Sequence, residues 1–436
     1  MLPQIHSIND ALTLRVYQTN KFKAGLLTMS VVLPIHRDRV WMTSLLLSVL
    51  RRGTEKYPTL EALNRRLDYL YGTELSIRNF YRGDCQVIGF AAEYPEAIYL
   101  PEREDLTREI LDVMCQVLFH PLTDENGLLL SRYVESEKQL QCDALRALKN
   151  NPRAYAAEHA NAALYESEAC GAPLYGTEQE IEAVTPEALT AHWRELIATL
   201  SLDCFYVGSA DTAELKRQLS EIVLPHLGGE NGKYRLPMRA EVVLAVSSVK
   251  QVEESLEVGQ GQLILGFRTG CALGEDAYYA CMIFNEMLGA SPISKLFVNV
   301  REKLSLCYHC SSTYHAPKGT LTIRCGLLPC NRERAEQAIL AEVDALARGD
   351  FDDDELIGAK KAVINAYRQL QDSPSSLEAF YFGRAVSGVD DSAEDCQKRF
   401  VEITRDDVIA IAKNVKLDTV YFLNALRVEE ESDDED

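Results

Sequence analysis

The sequence predicts an α+β fold built from two homologous domains, each a mainly antiparallel sheet covered on one face by helices. The main observation is an internal repeat: the β-rich run AGLLTMSVVLP beginning at Ala24 has a counterpart in GQLILGFRTG beginning at Gly261. A helical stretch follows each run, and the two stretches end at Gly53 and Gly289. Strands that alternate with helices and are joined by hairpins are typical of α+β layers.

The shift that superimposes Gly53 on Gly289 also aligns a turn glycine in each copy. Gly83 lies in Tyr-Arg-Gly-Asp and Gly319 in Ala-Pro-Lys-Gly, and the period-two segments QVIGFAAEY and TLTIRCGLL follow them. Alternating polarity beside a glycine turn predicts a β-hairpin in each copy. The helical segments that end at Pro152 and Pro374 also match, but with a smaller shift, so the first copy contains an insertion.

Each copy closes with a short helix, opened by Thr185 or Thr404, and then a strand. Between the copies, the Gly-rich and polar segment HLGGENGKYR indicates a linker. The predicted organisation is an N-terminal domain at 1–225, a linker at 226–235, a C-terminal domain at 236–428 and an acidic, disordered tail at 429–436.

The composition predicts a folded protein that does not bind nucleic acid. Of the 436 residues 47% are hydrophobic, which is enough for large buried cores. The 66 acidic and 45 basic residues give a formal net charge of −21, which repels nucleic acids and anionic membrane surfaces.

The sequence also favours a cytoplasmic location. The start MLPQIHSIND lacks the basic and apolar regions of a secretory signal, and the later run GLLTMSVVLP is about half of the roughly 20 residues that a membrane span needs. The 12 cysteines are scattered singly through apolar segments, which indicates reduced core thiols rather than a disulfide framework.

The first helix and its surroundings resemble the zinc-binding region of the insulinase/pitrilysin family of metallopeptidases. From Ser44 the sequence reads SLLLSVLRRGTEKYPTLEALNRRLDYLYGTE, and GTEKYP at 53–58 is similar to the segment that follows His-x-x-Glu-His in catalytic members. There, two histidines one helical turn apart bind zinc, and the intervening glutamate activates the metal-bound water. The resemblance implies two homologous insulinase-like domains.

The residues aligned with that zinc site cannot perform its chemistry. Ser44, Leu47 and Ser48 stand at the positions of the two histidines and the glutamate, and the downstream segment keeps Glu-Lys at 137–138 but has Ala144 at the third ligand position. None of the eight histidines has another histidine four residues away. The resemblance therefore implies no metal and no catalytic residue in this chain. Without it, SLLLSVL indicates an amphipathic core helix.

A second segment resembles the part of the family's site that holds the substrate. The residues from Arg301 to Tyr308 are similar to the family's Arg-x6-Tyr segment, whose arginine and tyrosine bind the substrate backbone and help to stabilise the oxyanion. A guanidinium and a phenol both donate hydrogen bonds to developing negative charge. The resemblance implies substrate binding by both residues. Without it, the pair indicates an ordinary salt bridge and a core ring.

A chain that lacks the zinc residues but keeps this arginine and tyrosine resembles the metal-free subunits of heterodimeric bacterial members, from about Leu14 to Ala425. The implied function is a non-catalytic subunit of a heterodimeric zinc metallopeptidase. It would supply Arg301, Tyr308 and half of a peptide chamber to a partner with intact His-x-x-Glu-His, and zinc is expected in that partner. On its own, the chain is not expected to be an enzyme. Two alternatives stay open, a scaffolding protein with the same fold and a stand-alone enzyme that uses other residues.

The remaining motifs carry less weight. Cys307 and Cys310, with His315, Cys325 and Cys330 nearby, fit a structural zinc site or a redox pair poorly, because residues three apart on a strand point to opposite faces. We therefore expect buried thiols in a sheet. The chain contains no phosphate-binding GxxxxGK[ST] or GxGxxG motif and no GxSxG nucleophile elbow.

Overall fold

The chain folds as a mixed α/β protein with two sheets, as the sequence predicts. The computed structural model describes residues 2–102, 104–229, 231–244 and 246–426, so the predicted tail at 429–436 lies outside the described residues. The strands of the first sheet are β1 (Gln4–Asn9), β2 (Leu12–Gln18), β3 (Ala24–Pro34), β4 (Glu74–Arg82), β5 (Cys85–Pro95) and β6 (Leu202–Gly208). Those of the second are β7 (Lys250–Leu256), β8 (Gly261–Arg268), β9 (His309–His315), β10 (Thr320–Leu327) and β11 (Lys416–Ala425).

Helices connect these strands. In the first half of the chain they are α1 (Val40–Leu50), α2 (Leu60–Tyr69), α3 (Thr107–Phe119), α4 (Ser131–Leu148), α5 (Pro152–Leu164), α6 (Glu178–Ala183), α7 (Pro186–Thr199) and α8 (Thr212–Ile222). In the second half they are α9 (Tyr278–Asn285), α10 (Arg332–Arg348), α11 (Asp353–Gln369), α12 (Pro374–Ser387), α13 (Ala393–Glu402) and α14 (Arg405–Asn414). Two π-helical segments, Glu286–Ala290 and Leu296–Lys303, lie between α9 and β9.

Both sheets are mainly antiparallel, which confirms the predicted fold class. The first has the order β1-β2-β6-β3-β5-β4, and its one parallel pair among the described strands is β2 with β6. The second has the order β7-β11-β8-β10-β9, and its one such pair is β7 with β11. Equivalent strands therefore take equivalent places, as expected for two copies of one unit.

The two predicted hairpins are present. β4 and β5 pair from Arg82 with Cys85, and β9 and β10 pair from His315 with Thr320. The turn glycines, Gly83 and Gly319, both have a φ of +59°, a left-handed conformation that residues with a Cβ rarely adopt. The two aligned glycines therefore share the same backbone φ as well as the same place in the hairpin.

The prolines of the repeat begin helices rather than end them. α4 stops at Leu148, and Pro152 is the first residue of α5, just as Pro374 is the first residue of α12. Proline suits this position because its missing N–H would have no helical partner there. The side chains of Asn151 and Ser373 cap the two helices by accepting from backbone N–H groups. α5 and α12 are therefore equivalent elements of the two copies.

The described chain divides into two compact units, and neither is contiguous in sequence. The first contains residues up to 145, 172–239 and 369–391, and the second contains 146–171, 240–368 and 392 onward. The predicted domains, 1–225 and 236–428, therefore differ from these units by two exchanged segments, one carrying α5 and the other α12. The predicted linker at 226–235 lies within the first unit, where Asn231 donates to the Ile197 carbonyl oxygen at 2.7 Å.

In the first unit, the sheet has an apolar core on both faces, so the prediction of helices on one face is incomplete. Along β6, Cys204 and Tyr206 point into the larger core with α1, α3, α7 and α8, whereas Phe205 and Val207 point into a smaller one. The smaller core is closed by α12. All of β6 is buried for this reason, since strand side chains alternate between faces.

α12 is also held to the first sheet by a buried ion pair. Glu378 of α12 lies 2.9 Å from the Arg78 guanidinium of β4 and accepts from the Thr28 hydroxyl of β3 at 3.2 Å. Arg78 also lies over the Phe382 ring. These contacts give α12 a defined place on the sheet beyond apolar packing.

In the second unit, α5 packs on the sheet through small residues. Ala156 and Ala160 contact Ile264, Tyr421 and Leu423, so the helix approaches β8 and β11 closely.

The chain after α5 is held by buried charges. Arg268 of β8 donates to Glu168 at 2.7 Å and to Asp418 at 3.0 Å, and Lys318 lies 2.6 Å from Glu168. Paired polar groups as well as apolar contacts therefore hold the segment that carries α5 in the second unit. No helix in the described part of the chain has the length and apolar character needed to cross a membrane.

Candidate functional site

α1, which carries three of the positions aligned with the zinc site, is buried almost all round. Nine of its eleven residues are buried, so it is a core helix with little of the amphipathic character that the sequence indicated. Leu47 has no exposed surface and packs in the larger core, and Ser44 is buried as well. Ser48 is only partly buried.

Ser44 is fully engaged in hydrogen bonds. Its hydroxyl donates to the Leu174 carbonyl oxygen at 2.6 Å and accepts from Asn79 of β4 at 2.9 Å. Asn79 in turn accepts from Gln86 of β5 at 2.9 Å, and Gln86 also donates to the Val40 carbonyl oxygen at the start of α1. A short polar chain therefore joins α1 to the hairpin at the position that the sequence resemblance aligns with a zinc-binding imidazole.

Residues 172–176, which we call the connector, run past this helix and contact three elements. Tyr81 donates to the Ala172 carbonyl oxygen at 3.0 Å, and Gln141 of α4 donates to the Tyr175 carbonyl oxygen at 2.8 Å. Gly176 has a φ of +72°, and a Cβ there would lie 2.7 Å from a Trp41 ring atom. The backbone of the connector thus joins α1, β4 and α4.

The retained Glu-Lys pair on α4 has structural partners. Glu137 is paired with Arg52, just beyond α1, and Lys138 donates to the Val184 carbonyl oxygen at 2.9 Å. Ala144, almost one turn after Gln141, is exposed.

Together, the four aligned positions do not fit a zinc ion. Leu47 and Ala144 carry no ligand atom, and the oxygen of Ser44 is occupied by the connector and Asn79. Ser48, the remaining position, is partly buried, and one hydroxyl does not make a zinc site.

Arg301 and Tyr308 lie at the two ends of one connection in the second unit. Arg301 is in the π-helical segment Leu296–Lys303, where it stacks over Phe297 and lies 3.4 Å from Glu302. Tyr308 immediately precedes β9, and its backbone N–H donates to the Gly326 carbonyl oxygen at 2.9 Å. Tyr308 is 54% exposed, and 39% of the Arg301 side chain is exposed. Both groups are accessible to a ligand.

The comparisons with known proteins agree with this geometry. The family description "Peptidase M16 inactive domain" matches residues 183–363. The protein named "Probable inactive metalloprotease YmfF" of Bacillus subtilis is 27% identical over 420 residues, which cover 96% of this chain and 97% of that one. The chain is an inactive-type homologue of the M16 peptidases. The match to residues 183–363 includes Arg301 and Tyr308 but not the positions aligned with the zinc site.

Other relatives of this M16 homologue are described as zinc proteases. The "Uncharacterized zinc protease YmxG" of Bacillus subtilis is 22% identical over 330 residues, 73% of this chain and 76% of that one. Among solved structures, a conserved protein from Enterococcus faecalis V583 has a TM-score of 0.88 at 23% identity and covers 99% of this chain and 100% of its own. A "peptidase M16 inactive domain" protein from Pseudomonas fluorescens has a TM-score of 0.79 at 15% identity, covering 98% and 99%. These structures establish the fold.

The M16 homologue also contains a cysteine cluster beside Tyr308. The sulfur atoms of Cys307, Cys310 and Cys325 all lie within 4.8 Å of one another. Hydrogen bonds from the other two thiols, helped by the charges of His309 and Arg301, lower the pKa of Cys307 to about 4. The prediction that the spacing of these cysteines places their side chains on opposite faces of a strand is therefore wrong.

The three thiols converge because β9 begins later than the sequence indicated. β9 begins at His309, so Cys307 is not on the strand and is free of its alternation. Cys325 of β10 is directly opposite Cys310 in the hairpin register. That pairing could have been found in the sequence, because a turn that places His315 opposite Thr320 also places Cys310 opposite Cys325. The other two residues of the predicted group are engaged elsewhere or exposed: His315 bonds to Thr322, and Cys330 is exposed.

Proposed function

We propose that this chain is the non-catalytic subunit of a heterodimeric zinc metallopeptidase. It supplies Arg301 and Tyr308, with half of a peptide chamber, to an M16 partner that has an intact His-x-x-Glu-His motif. One contrast carries the proposal: Ser44 and Leu47, two of the positions aligned with the zinc site, are buried in structural contacts, whereas Arg301 and Tyr308 are left exposed.

The chemistry of the two residues supports this role. A guanidinium offers several donors in a fixed plane, and a phenol offers one more, so together they can hold a peptide backbone and a developing oxyanion. Tyr308 is attached to β10 through its backbone N–H, which leaves its exposed ring to face a ligand. The zinc that polarises the scissile carbonyl belongs, in this proposal, to the partner, and this chain has no catalytic residue.

The expected setting is the cytoplasm. All 12 cysteines lie within the described residues and none of them is in a disulfide bond, which suits a reducing compartment. The relatives described as zinc proteases indicate the kind of partner, a similar chain that keeps the zinc ligands.

A reconstitution experiment tests the proposal. Peptide cleavage is measured with this chain alone, with a zinc-bearing M16 homologue from the same genome alone, and with the mixture. We expect turnover only in the mixture, or a large increase there. Partner activity that is unchanged by adding this chain would overturn the proposal and favour a scaffolding role.

Point variants then assign the residues. Arg301→Ala and Tyr308→Phe should each lower kcat/KM of the mixture by at least about tenfold while the complex still assembles, since loss of one oxyanion donor typically costs more than that. The matched controls are Lys303→Ala, an exposed cation in the same π-helical segment, and Tyr69→Phe, an exposed tyrosine of the first unit. Equal activity of the Arg301 variant and its control would remove Arg301 from the site.

A further inference from the structure

The three clustered thiols come from separate stretches of backbone. Cys307 lies in the connection that follows the π-helical segment Leu296–Lys303, Cys310 lies in β9, and Cys325 lies in β10. Their sulfur atoms nevertheless lie within 4.8 Å of one another. Convergence of three soft donor atoms is the arrangement that thiophilic metal ions require.

We propose that Cys307, Cys310 and Cys325 bind one thiophilic metal ion, Zn²⁺ or Cu⁺, through three thiolates. A Zn–S bond of about 2.3 Å in tetrahedral geometry implies sulfur separations of about 3.8 Å. The sulfur atoms therefore need to move by no more than about 1 Å to reach ligand distance. Cys307 is the least buried of the three and lies outside β9, so its side chain is the least constrained against this movement.

The charges around the cluster suit such an ion. Three thiolates and Zn²⁺ carry a net charge of −1, and with Cu⁺ the net charge is −2. Arg301 is close enough to Cys307 to act on it electrostatically. Arg153 and Arg324 both act electrostatically on His309, which lies between Cys307 and Cys310 at the start of β9. Cationic neighbours compensate a negative metal–thiolate group, and protons displaced from the thiols pass to solvent.

The burial of the cluster also suits a bound ion. Cys310 and Cys325 are buried and Cys307 is at least partly buried, so the three thiols are largely shielded from solvent. A zinc ion held by three protein ligands keeps a fourth position for water.

The same ion would fix the conformation of the connection that carries Tyr308. Ser305 has a φ of +47°, a left-handed conformation that is unfavourable for a residue with a Cβ. A metal bond at Cys307 would hold this turn against β9 and β10 immediately before Tyr308. The importance of that effect rests on the proposed function, whereas metal binding does not.

The test uses the full chain, purified with reductant and stripped of metal by a chelator. Zn²⁺ is titrated in competition with a chromophoric chelator, and Cu⁺ is titrated anaerobically in the same way, to identify the preferred ion. Co²⁺ serves as a spectroscopic probe, since thiolate ligation gives a charge-transfer absorption band. We expect one equivalent per chain and a thiolate band with Co²⁺.

The variants decide the ligands. Cys307→Ser should weaken binding at least about tenfold, and because the residue is partly buried the chain should keep its fold. Cys310→Ser and Cys325→Ser should do the same. Cys330→Ser, an exposed cysteine that follows β10, should bind as the parent does. Failure to bind an equivalent of either ion, or an equivalent that Cys307→Ser retains at full affinity, overturns the proposal.

These results are separable from those on the proposed function. Loss of metal binding in Cys307→Ser is measured without a partner or a peptide. A chain that binds metal but does not stimulate any zinc-bearing homologue would keep the metal site and reject the heterodimer.

Discussion

Ser44 donates its hydroxyl to the Leu174 carbonyl oxygen at 2.6 Å, 130 residues away in the sequence. The sequence resemblance aligns this position with a zinc-binding imidazole of catalytic family members. Here the side chain fastens the connector to α1 and is itself held by Asn79. Ser44 therefore has a structural role at this aligned position, in addition to lacking a zinc-binding group.

The first prediction concerns this hydrogen bond. Ser44→Ala should lower the free energy of unfolding by about 1–3 kcal/mol, because the Leu174 carbonyl and the Asn79 amide each lose a partner. Urea unfolding followed by circular dichroism measures it. Ser48→Ala, on the same helix but only partly buried, is the control and should change stability by less than about 0.5 kcal/mol. Equal effects of the two substitutions would contradict the role given to Ser44.

The second prediction is that restoring the zinc ligands does not restore zinc binding. A chain carrying Ser44→His, Leu47→Glu, Ser48→His and Ala144→Glu should bind no more zinc than the parent and should melt at a lower temperature. Leu47 has no exposed surface, so a carboxylate there is buried without a partner.

Metal analysis and thermal unfolding check this prediction. The control carries only Ser48→His and Ala144→Glu, at partly buried and exposed positions, and should be close to the parent in stability. If the fourfold variant binds an additional equivalent of zinc and is as stable as the parent, the aligned positions can still form a zinc site, and the prediction is wrong.

Local sequence signals predict much of this fold. The turn glycines Gly83 and Gly319 are recognisable because each follows a polar residue between period-two segments, and both have the same φ. Thr185 and Thr404 are recognisable as helix caps, and each accepts from a backbone N–H three residues on. These signals involve residues close in sequence, so one local rule, for a turn or a helix cap, determines the local structure.

Long-range placement is not predictable in this way. The pattern of α5 does not show which sheet it covers, because small apolar residues such as Ala156 and Ala160 do not specify their partners, here Ile264, Tyr421 and Leu423. Nor does the sequence reveal that Ser44 meets Leu174. The cysteine cluster lies between these cases, since the hairpin register pairs Cys310 with Cys325, but the position of Cys307 depends on where β9 begins.

The third prediction concerns the ion pair that holds α12. Glu378→Leu or Arg78→Met alone should destabilise the protein by about 3–5 kcal/mol, because each leaves the other charge buried and unpaired. The double variant should recover much of this loss, since it removes both charges together. Denaturant unfolding of the four proteins in a double-mutant cycle gives the coupling.

An exposed pair in the same unit supplies the control. Lys21 and Asp372 lie 2.8 Å apart with more than half of each side chain exposed, so Asp372→Asn should change stability by less than about 1 kcal/mol. If the double variant loses more unfolding free energy than the two single variants lose together, the buried pair is not isolated from other charges.

The last prediction is a pH dependence that originates at His315. Burial, and then the charge of Arg324, lowers the pKa of His315 to about 4, and its ring bonds to Thr322 at 3.2 Å. In the unfolded chain an ordinary histidine takes up a proton near pH 6.5. Between these values the unfolded state binds more protons than the folded state, so stability from His315 is present above pH 6.5 and is lost as the pH falls towards 4.

His315→Gln should therefore flatten the dependence of the unfolding free energy on pH in this window, by about 1–3 kcal/mol over the range. Urea unfolding at pH 7, 6, 5 and 4.5 measures it, and curves for parent and variant that stay parallel would show that His315 is protonated in the folded protein.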